Sequence, residues 1–134
     1  LPATLMASRS LLDLAPACRA AALRLLELAG AQGLDVLIYC TLRSNAEQAE
    51  LWASGRSKVG PILTKARPGE SLHNPGPDGL ARAFDAVPLV AGKPAWKDDG
   101  LILRMGRIGE AAGLEWAGRW RGDFRERAHF QLKG

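Results

Sequence analysis

Two histidines in a chain of 134 residues, His73 and His129, carry the clearest potential for chemistry. His73 lies in a Gly- and Pro-rich stretch that ends at Asp85, and His129 follows Glu126 by three residues. Zinc binds imidazole nitrogen and carboxylate oxygen, and a catalytic zinc site uses three protein ligands while leaving one position for water. The residue types therefore suggest a site in which His73, Asp85 and His129 bind Zn.

A general base and an arginine complete the candidate chemistry. Zinc lowers the pKa of a bound water to about 7, and a nearby carboxylate can take its proton as it attacks a carbonyl. Glu126 is the candidate base, and Arg43 is the candidate that stabilises the resulting oxyanion. The spacing alone leaves open that these residues have no functional role, since loop histidines and lone arginines are more often solvated surface residues.

Composition favours one soluble globular domain over residues 1–134, with 47% hydrophobic and 24% charged residues. The net charge of +4 suggests anionic partners, but the scattered arginines lack interleaved aromatic residues, so we expect no nucleic-acid binding. No apolar run reaches the roughly 18 residues of a membrane-spanning helix, so we expect no stable membrane insertion. No export signal is evident, and we interpret residues 1–5, before Met6, as an artefact of expression or processing.

The spacing of apolar residues predicts three helices. Ser44 and Glu47 have the spacing of a capping box, and the helix that they start should pack Ala49 and Trp52 inward. Arg43 then lies at a strand-to-helix corner, from which a side chain can be aimed into a cleft. The predicted helices span 15–29, 44 to 53 or 54, and 98 or 99 to 113.

Short strands alternate with these helices, which predicts an α+β fold with a small, largely antiparallel sheet flanked by about three helices. Pro88 should limit its strand to an edge or an end of the sheet. The two cysteines, Cys18 and Cys40, lack metal-type or redox-type spacing, so we expect buried free thiols. The predicted strands span 34–41, 83–90, 114–116 and 128–132.

Two motifs around the histidines resemble the signatures of a family of zinc peptidases. The segment from Ser71 to Asp85 contains Ser-Leu-His and Ala-Phe-Asp, similar to the family's Ser-x-His…Gly-x-Ala-x-Asp. Glu-Arg-Ala-His, ending at His129, resembles the second signature, in which the catalytic acid precedes the last histidine ligand. The family includes VanY-type D-Ala-D-Ala carboxypeptidases, D-Ala-D-Ala dipeptidases and phage L-alanyl-D-glutamate endopeptidases.

Two further segments extend the resemblance over roughly residues 34–132. Arg-Ser-x-x-Glu-Gln, beginning at Arg43, and Leu-Trp-Ala-Ser-Gly-Arg, beginning at Leu51, match a region in which the family's arginine is functional. Gly-Leu-Glu-Trp-Ala-Gly-Arg-Trp, ending at Trp120, is similar to the Gly-Leu-Glu-Trp-Gly-Gly-x-Trp of phage members. The four matches occur in the family's order.

One departure concerns the distance between the first two ligands. In the family they are normally seven positions apart, whereas His73 and Asp85 are twelve apart. An insertion around residues 75–79 restores the pattern and puts Ala81 in the place of the signature glycine. Asp78 is a competing ligand candidate, but it lacks the Ala-x-Asp context and the following strand, so we prefer Asp85.

The resemblance implies a zinc site in a cleft on the sheet. It makes Glu126 the general base and then acid, and Arg43 the residue that steadies the substrate carbonyl. Ser71 is a substrate contact or, equally, a hydroxyl that caps its loop. The implied zinc ligands are His73, Asp85 and His129.

The resemblance also implies a substrate, the stem peptides of peptidoglycan. We expect a monomeric phage endolysin that cuts the L-Ala–D-Glu bond, is made in the host cytoplasm and reaches the periplasm once the membrane is permeabilised. A D,D-carboxypeptidase that removes terminal D-Ala is a second reading. A zinc-stabilised cell-wall-binding domain without turnover is a third, and the presence of Glu126 argues against it because a structural site needs no base.

Overall fold

The computed structural model describes residues 7–134, so the prediction for residues 1–5 lies outside the described residues. In the described part, three α-helices accompany a five-stranded sheet, which confirms the predicted α+β fold. No helix of that part has the length and apolar composition needed to cross a bilayer. The helices are α1 (Pro16–Ala31), α2 (Asn45–Ala53) and α3 (Asp99–Ala111), and the strands are β1 (Asp35–Cys40), β2 (Ala83–Val90), β3 (Lys93–Pro94), β4 (Leu114–Trp116) and β5 (His129–Leu132).

The sheet has the order β1-β2-β5-β4, and each of its pairings is antiparallel. β3 pairs with the end of β2 beyond β5. Of the two predicted alternatives for Pro88, an edge or an end, the structure shows the second: β2 has neighbours on both sides, and Pro88 lies near its end, beyond the residues that pair with β5. Ala95 N donates to the carbonyl of Pro88 on the side of β2 away from β1. The N–H and the C=O of a strand residue point to the same side, so the N–H that proline lacks would also face away from β1. The hydrogen bonds between β1 and β2 are therefore all retained.

The two faces of the sheet have different environments because successive side chains of a strand point to opposite sides. Phe84 and Phe130 face α1 and α3, and their rings stack with centroids 5.5 Å apart. Asp85 and His129, the next residue and the preceding residue in the same two strands, point to the other face. The helices therefore build the core on one face and leave the other free for polar groups.

Helix α2 begins as the capping box predicts, but it buries different residues. Ser44 Oγ accepts a hydrogen bond from Glu47 N at 3.0 Å. Ala49, predicted to pack inward, is exposed, whereas Glu47 and Gln48 are buried. The reason is that α2 lies outside the core cluster that α1 and α3 form, so its inner face meets polar groups next to the sheet's polar face.

Two glycines of α3 allow the aromatic rings of the sheet to reach the helix backbone. A Cβ at Gly106 would lie 2.3 Å from the ring of Trp116, and a Cβ at Gly109 would lie 2.2 Å from the ring of Phe130. Such distances are far inside van der Waals contact. The absence of side chains at these two positions therefore sets how closely β4 and β5, and with β5 His129, approach the helix layer.

We predict that Gly109→Ala lowers the free energy of unfolding by about 1–3 kcal/mol, because the added methyl group overpacks the core against Phe130. Gly30→Ala is the matched control in α1, where an added Cβ meets nothing within 4 Å. It should raise stability by up to about 1 kcal/mol through helix propensity. Urea unfolding of the two variants measures both effects, and a Gly109→Ala variant as stable as the wild type would contradict this packing.

Candidate active site

Three side chains meet on the polar face of the sheet. His73 Nε2 lies 3.1 Å from Asp85 Oδ1 and 3.2 Å from His129 Nδ1, and His129 Nδ1 lies 3.3 Å from Asp85 Oδ1. Ligand atoms at 2.0–2.1 Å from a tetrahedral zinc ion are about 3.3 Å apart. The triangle of donor atoms therefore has the dimensions of three corners of a zinc coordination tetrahedron.

Strand register brings two of these residues together. Asp85 of β2 and His129 of β5 are directly opposite each other in the antiparallel ladder, where Cβ atoms are about 4.5–5.5 Å apart. Phe84 pairs with Phe130 in the same register, so the core contact and the polar contact are fixed together. A slip of one residue would turn the polar pair into the core.

His73 reaches the same point from the loop before β2. Arg43 N, at the end of the β1–α2 corner, donates to His73 O at 2.8 Å, and Asn74 Nδ2 donates to Arg43 O at 3.0 Å. His73 N donates to Ser71 Oγ at 3.1 Å. The loop is thus bonded to the corner at His73 and Asn74, and His73 is itself 2% exposed.

The outer nitrogens of both imidazoles face acceptors. His73 Nδ1 lies 2.8 Å from the carbonyl of Thr41, which can only accept, so Nδ1 carries a proton and Nε2 presents a lone pair whenever the imidazole is neutral. His129 Nε2 lies 2.9 Å from Gln131 Oε1, which leaves the lone pair on Nδ1. Two imidazole lone pairs and a carboxylate oxygen point at one another, an arrangement that requires a positive charge between them. Metal-binding histidines use their second nitrogen in the same way.

Electrostatics also favour positive charge at this point. Burial disfavours a charged imidazole at His73, but hydrogen bonds with Asp85 and Cys40 outweigh burial and raise the pKa of His73 to about 10. Burial likewise opposes the charged form of Asp85, yet hydrogen bonds with His129 and His73 hold the pKa of its carboxyl below the usual range. The cluster therefore stabilises either a proton or a cation, and its donor set fits zinc.

Cys40 offers an alternative donor set that sequence analysis missed. Its Sγ lies 3.7 Å from His73 Nδ1, and donor atoms of Cys40, His73 and Asp85 lie within 4.8 Å of one another. We favour the set with His129 because Cys40 approaches the outer nitrogen of His73, which is already bonded to Thr41 O. The two nitrogens of an imidazole point in different directions, so one ion cannot use both the sulfur side and the Asp85 side of His73.

The predicted base and the predicted arginine lie beside the triangle. Glu126 is exposed, and its Oε2 is 3.7 Å from His129 Nδ1. Arg43 Nη2 is 4.0 Å from Asp85 Oδ2, and Arg43 Nη1 donates to Gln48 Oε1 at 3.1 Å. Both residues therefore border the space next to the three donor atoms, Glu126 from the solvent side and Arg43 from the α2 side.

Two other residues named from the sequence lie away from the triangle. Asp78, the competing ligand candidate, is exposed and pairs with Arg82 at 3.1 Å, so it takes no part in the cluster. The inserted turn around it closes on itself through Gly76 N and Leu80 O. Ser71 Oγ accepts from the backbone of His73, which is the loop-capping contact; a contact of Ser71 with substrate stays a prediction.

The cluster opens into a cleft of about 870 Å³, within the size range of ligand sites. Tyr39 and Trp120 line it, and neither was given a role from the sequence; the Trp120 ring lies 5.7 Å from that of His129. Tyr39 is the extra residue of a β-bulge, since Ile38 pairs with Ala86 and Cys40 pairs with Asp85. Sequence periodicity gives no signal for such a bulge.

A cleft with two imidazoles, one partly buried carboxylate and an adjacent exposed glutamate is an arrangement typical of single-ion metallohydrolases. No family model matches the chain. The chain is 36% identical over 130 residues to peptidoglycan L-alanyl-D-glutamate endopeptidase CwlK of Bacillus subtilis, covering 90% of this chain and 74% of CwlK. It therefore belongs to the VanY-type zinc peptidase family, which confirms the resemblance of its motifs.

A solved structure supports the same fold. The LdcB LD-carboxypeptidase superposes with a TM-score of 0.64 at 19% identity, over 90% of this chain and 66% of the LdcB chain. The chain thus spans just under two thirds of that structure. The likeness concerns the fold alone.

We predict that zinc stabilises the wild type and not His129→Ala, because removal of one imidazole leaves two of the three donor atoms. At free zinc about 100 times the dissociation constant, the gain in unfolding free energy should be about 2.7 kcal/mol. Asp78→Ala is the matched control, since it removes an exposed carboxylate from the same loop. Urea unfolding with zinc and with chelator measures the increment for each protein. An increment kept by His129→Ala, or lost by Asp78→Ala, would contradict the site.

Proposed function

We propose that this protein is a zinc-dependent peptidase that hydrolyses the stem peptides of peptidoglycan. The observation that carries the proposal is the triangle of donor atoms from His73, Asp85 and His129, 3.1–3.3 Å apart, beside Glu126 in an open cleft. CwlK, the relative at 36% identity, is a peptidoglycan endopeptidase, which gives the proposed substrate class. The net charge of +4 favours approach to an anionic envelope.

The bond that we propose is L-Ala–D-Glu, because the relative at 36% identity is named for that cleavage. We further propose that the protein serves as a phage endolysin, which is made in the host cytoplasm and acts on peptidoglycan after the membrane is permeabilised. The motif that resembles phage members, Gly113 to Trp120, supports this role. A monomer suffices for it, since one chain supplies each proposed site residue.

The mechanism follows from the positions of the chain's own groups. When bound, zinc supplies Lewis acidity to a peptide carbonyl and to the attacking water. Glu126 takes the proton of that water and later gives it to the leaving amine, so the carboxylate returns to its starting state. It is exposed and lies 3.7 Å from His129 Nδ1, so a water beside the donor atoms can hydrogen-bond to its carboxylate.

Arg43 stabilises the negative charge that develops on the carbonyl oxygen. Its guanidinium is held in place by Gln48 and by the proximity of Asp85, so little reorganisation is needed when the charge forms. Gln48 is in turn fixed, because its Nε2 donates to Ala66 O at 2.8 Å. The capping box of α2 therefore has a functional consequence. It fixes the start of the helix that carries Gln48, and Gln48 holds the Arg43 guanidinium.

Fragment analysis tests the proposed specificity. Purified peptidoglycan is digested by the wild type, and mass spectrometry with N-terminal labelling identifies the new ends. We expect new D-Glu amino termini. Release of free D-Ala would instead support the carboxypeptidase reading, and binding to peptidoglycan without any fragment would support the non-catalytic one.

We predict that Glu126→Gln lowers kcat about 100- to 10,000-fold, because the amide cannot accept the proton. Zinc affinity should change little, since the triangle of donor atoms does not include Glu126. Glu27→Gln is the control, because Glu27 is also an exposed carboxylate and lies on α1. Turnover and zinc titration are measured on the same samples. Full activity in Glu126→Gln would refute the assignment of Glu126 as the general base, and the zinc site would be unaffected by that result.

A further inference from the structure

We propose that Gln131 and Glu115 are positioning residues that hold His129 in the tautomer whose Nδ1 lone pair faces Asp85 and His73. The tautomer claim stands on hydrogen bonds alone, whereas its consequence for zinc affinity rests on the proposed function.

Strand geometry places the three side chains in a row. Gln131 follows His129 by two residues in β5, so both point to the same face of the sheet. Glu115 of β4 is directly opposite Gln131 in the ladder. His129 Nε2 lies 2.9 Å from Gln131 Oε1, and Gln131 Nε2 donates to Glu115 Oε2 at 2.8 Å.

The carboxylate gives this row its direction. An ionised carboxylate only accepts hydrogen bonds, so the amide NH₂ of Gln131 must face Glu115 and its carbonyl oxygen must face His129. That oxygen also only accepts, so the proton of the imidazole sits on Nε2. The lone pair is then on Nδ1, 3.2 Å from His73 Nε2 and 3.3 Å from Asp85 Oδ1.

A comparison with His73 explains why the tautomer of His129 depends on Gln131 and Glu115. The outer nitrogen of His73 faces the backbone carbonyl of Thr41, whose polarity cannot reverse. A glutamine amide can rotate by 180°, which would turn its NH₂ toward His129 and favour a proton on Nδ1. That proton would occupy the position from which Nδ1 binds a cation. Glu115 prevents the rotation, and such outer hydrogen bonds commonly change metal affinity 10- to 100-fold.

The chain has only two histidines, so nitrogen-15 NMR can identify the protonated nitrogens of both imidazoles directly, with the protonated Nδ1 of His73 as the internal reference. The variants are Glu115→Gln, Gln131→Ala and the exchange Glu115→Gln with Gln131→Glu. In the exchange, the carboxylate at position 131 still accepts from His129 Nε2, and the amide at position 115 donates to that carboxylate across the two strands. Glu110→Gln is the control, a carboxylate that pairs with Arg119 at the surface. Zinc affinity and the urea midpoint are measured on each protein.

We expect the wild type, the exchange and the control to carry the His129 proton on Nε2 and to bind zinc within a few-fold of one another. Glu115→Gln and Gln131→Ala should show a mixture of tautomers at His129 alone and should bind zinc about 10- to 100-fold more weakly. A fixed Nε2 proton and unchanged affinity in both single variants would overturn the proposal. A wild type that keeps the tautomer but binds no zinc would refute the proposed function and leave the positioning role standing.

Discussion

The structure depends on one electrostatic constraint: two imidazole lone pairs and a carboxylate oxygen are held about 3 Å apart without a protein group between them. Such an arrangement is unfavourable unless positive charge lies at its centre. The surrounding hydrogen bonds direct the lone pairs toward that centre instead of relieving the conflict. The constraint is therefore built into the fold, and it gives the polar face of the sheet its chemical character.

The core on the opposite face keeps the donor atoms in place. The register that stacks Phe84 on Phe130 is the register that sets Asp85 against His129, so loss of one pairing entails loss of the other. The bare helix surface at Gly109 fixes the depth of the Phe130 ring. Stability and site geometry are thus coupled through two adjacent pairs of residues rather than through a distant network.

Much of this architecture could be predicted from the sequence. Apolar periodicity and caps gave the three helices and the main strands, because these signals are local. Burial of Ala49 was predicted wrongly, since it depends on which neighbour covers the helix. The motif resemblance indicated the family, which the relative at 36% identity confirmed.

The site was only partly accessible to sequence reasoning. His73, Asp85, His129 and Glu126 could be named, while their roles stay predictions. The proximity of Cys40 was missed because a bulge at Tyr39 changes the face to which β1 directs its last residue. Gln131 could have been found, since it follows His129 by two residues in a predicted strand and so shares its face.

The most direct test of the central claim is X-ray absorption at the zinc edge of the loaded protein. The account predicts a first shell of nitrogen and oxygen atoms at about 2.0–2.1 Å, with outer-shell scattering from two imidazoles. If Cys40 were a ligand, the spectrum would show a zinc–sulfur distance of about 2.3 Å. A sulfur in the first shell, or a single imidazole, would contradict the assignment of His73, Asp85 and His129 as the residues that share the ion.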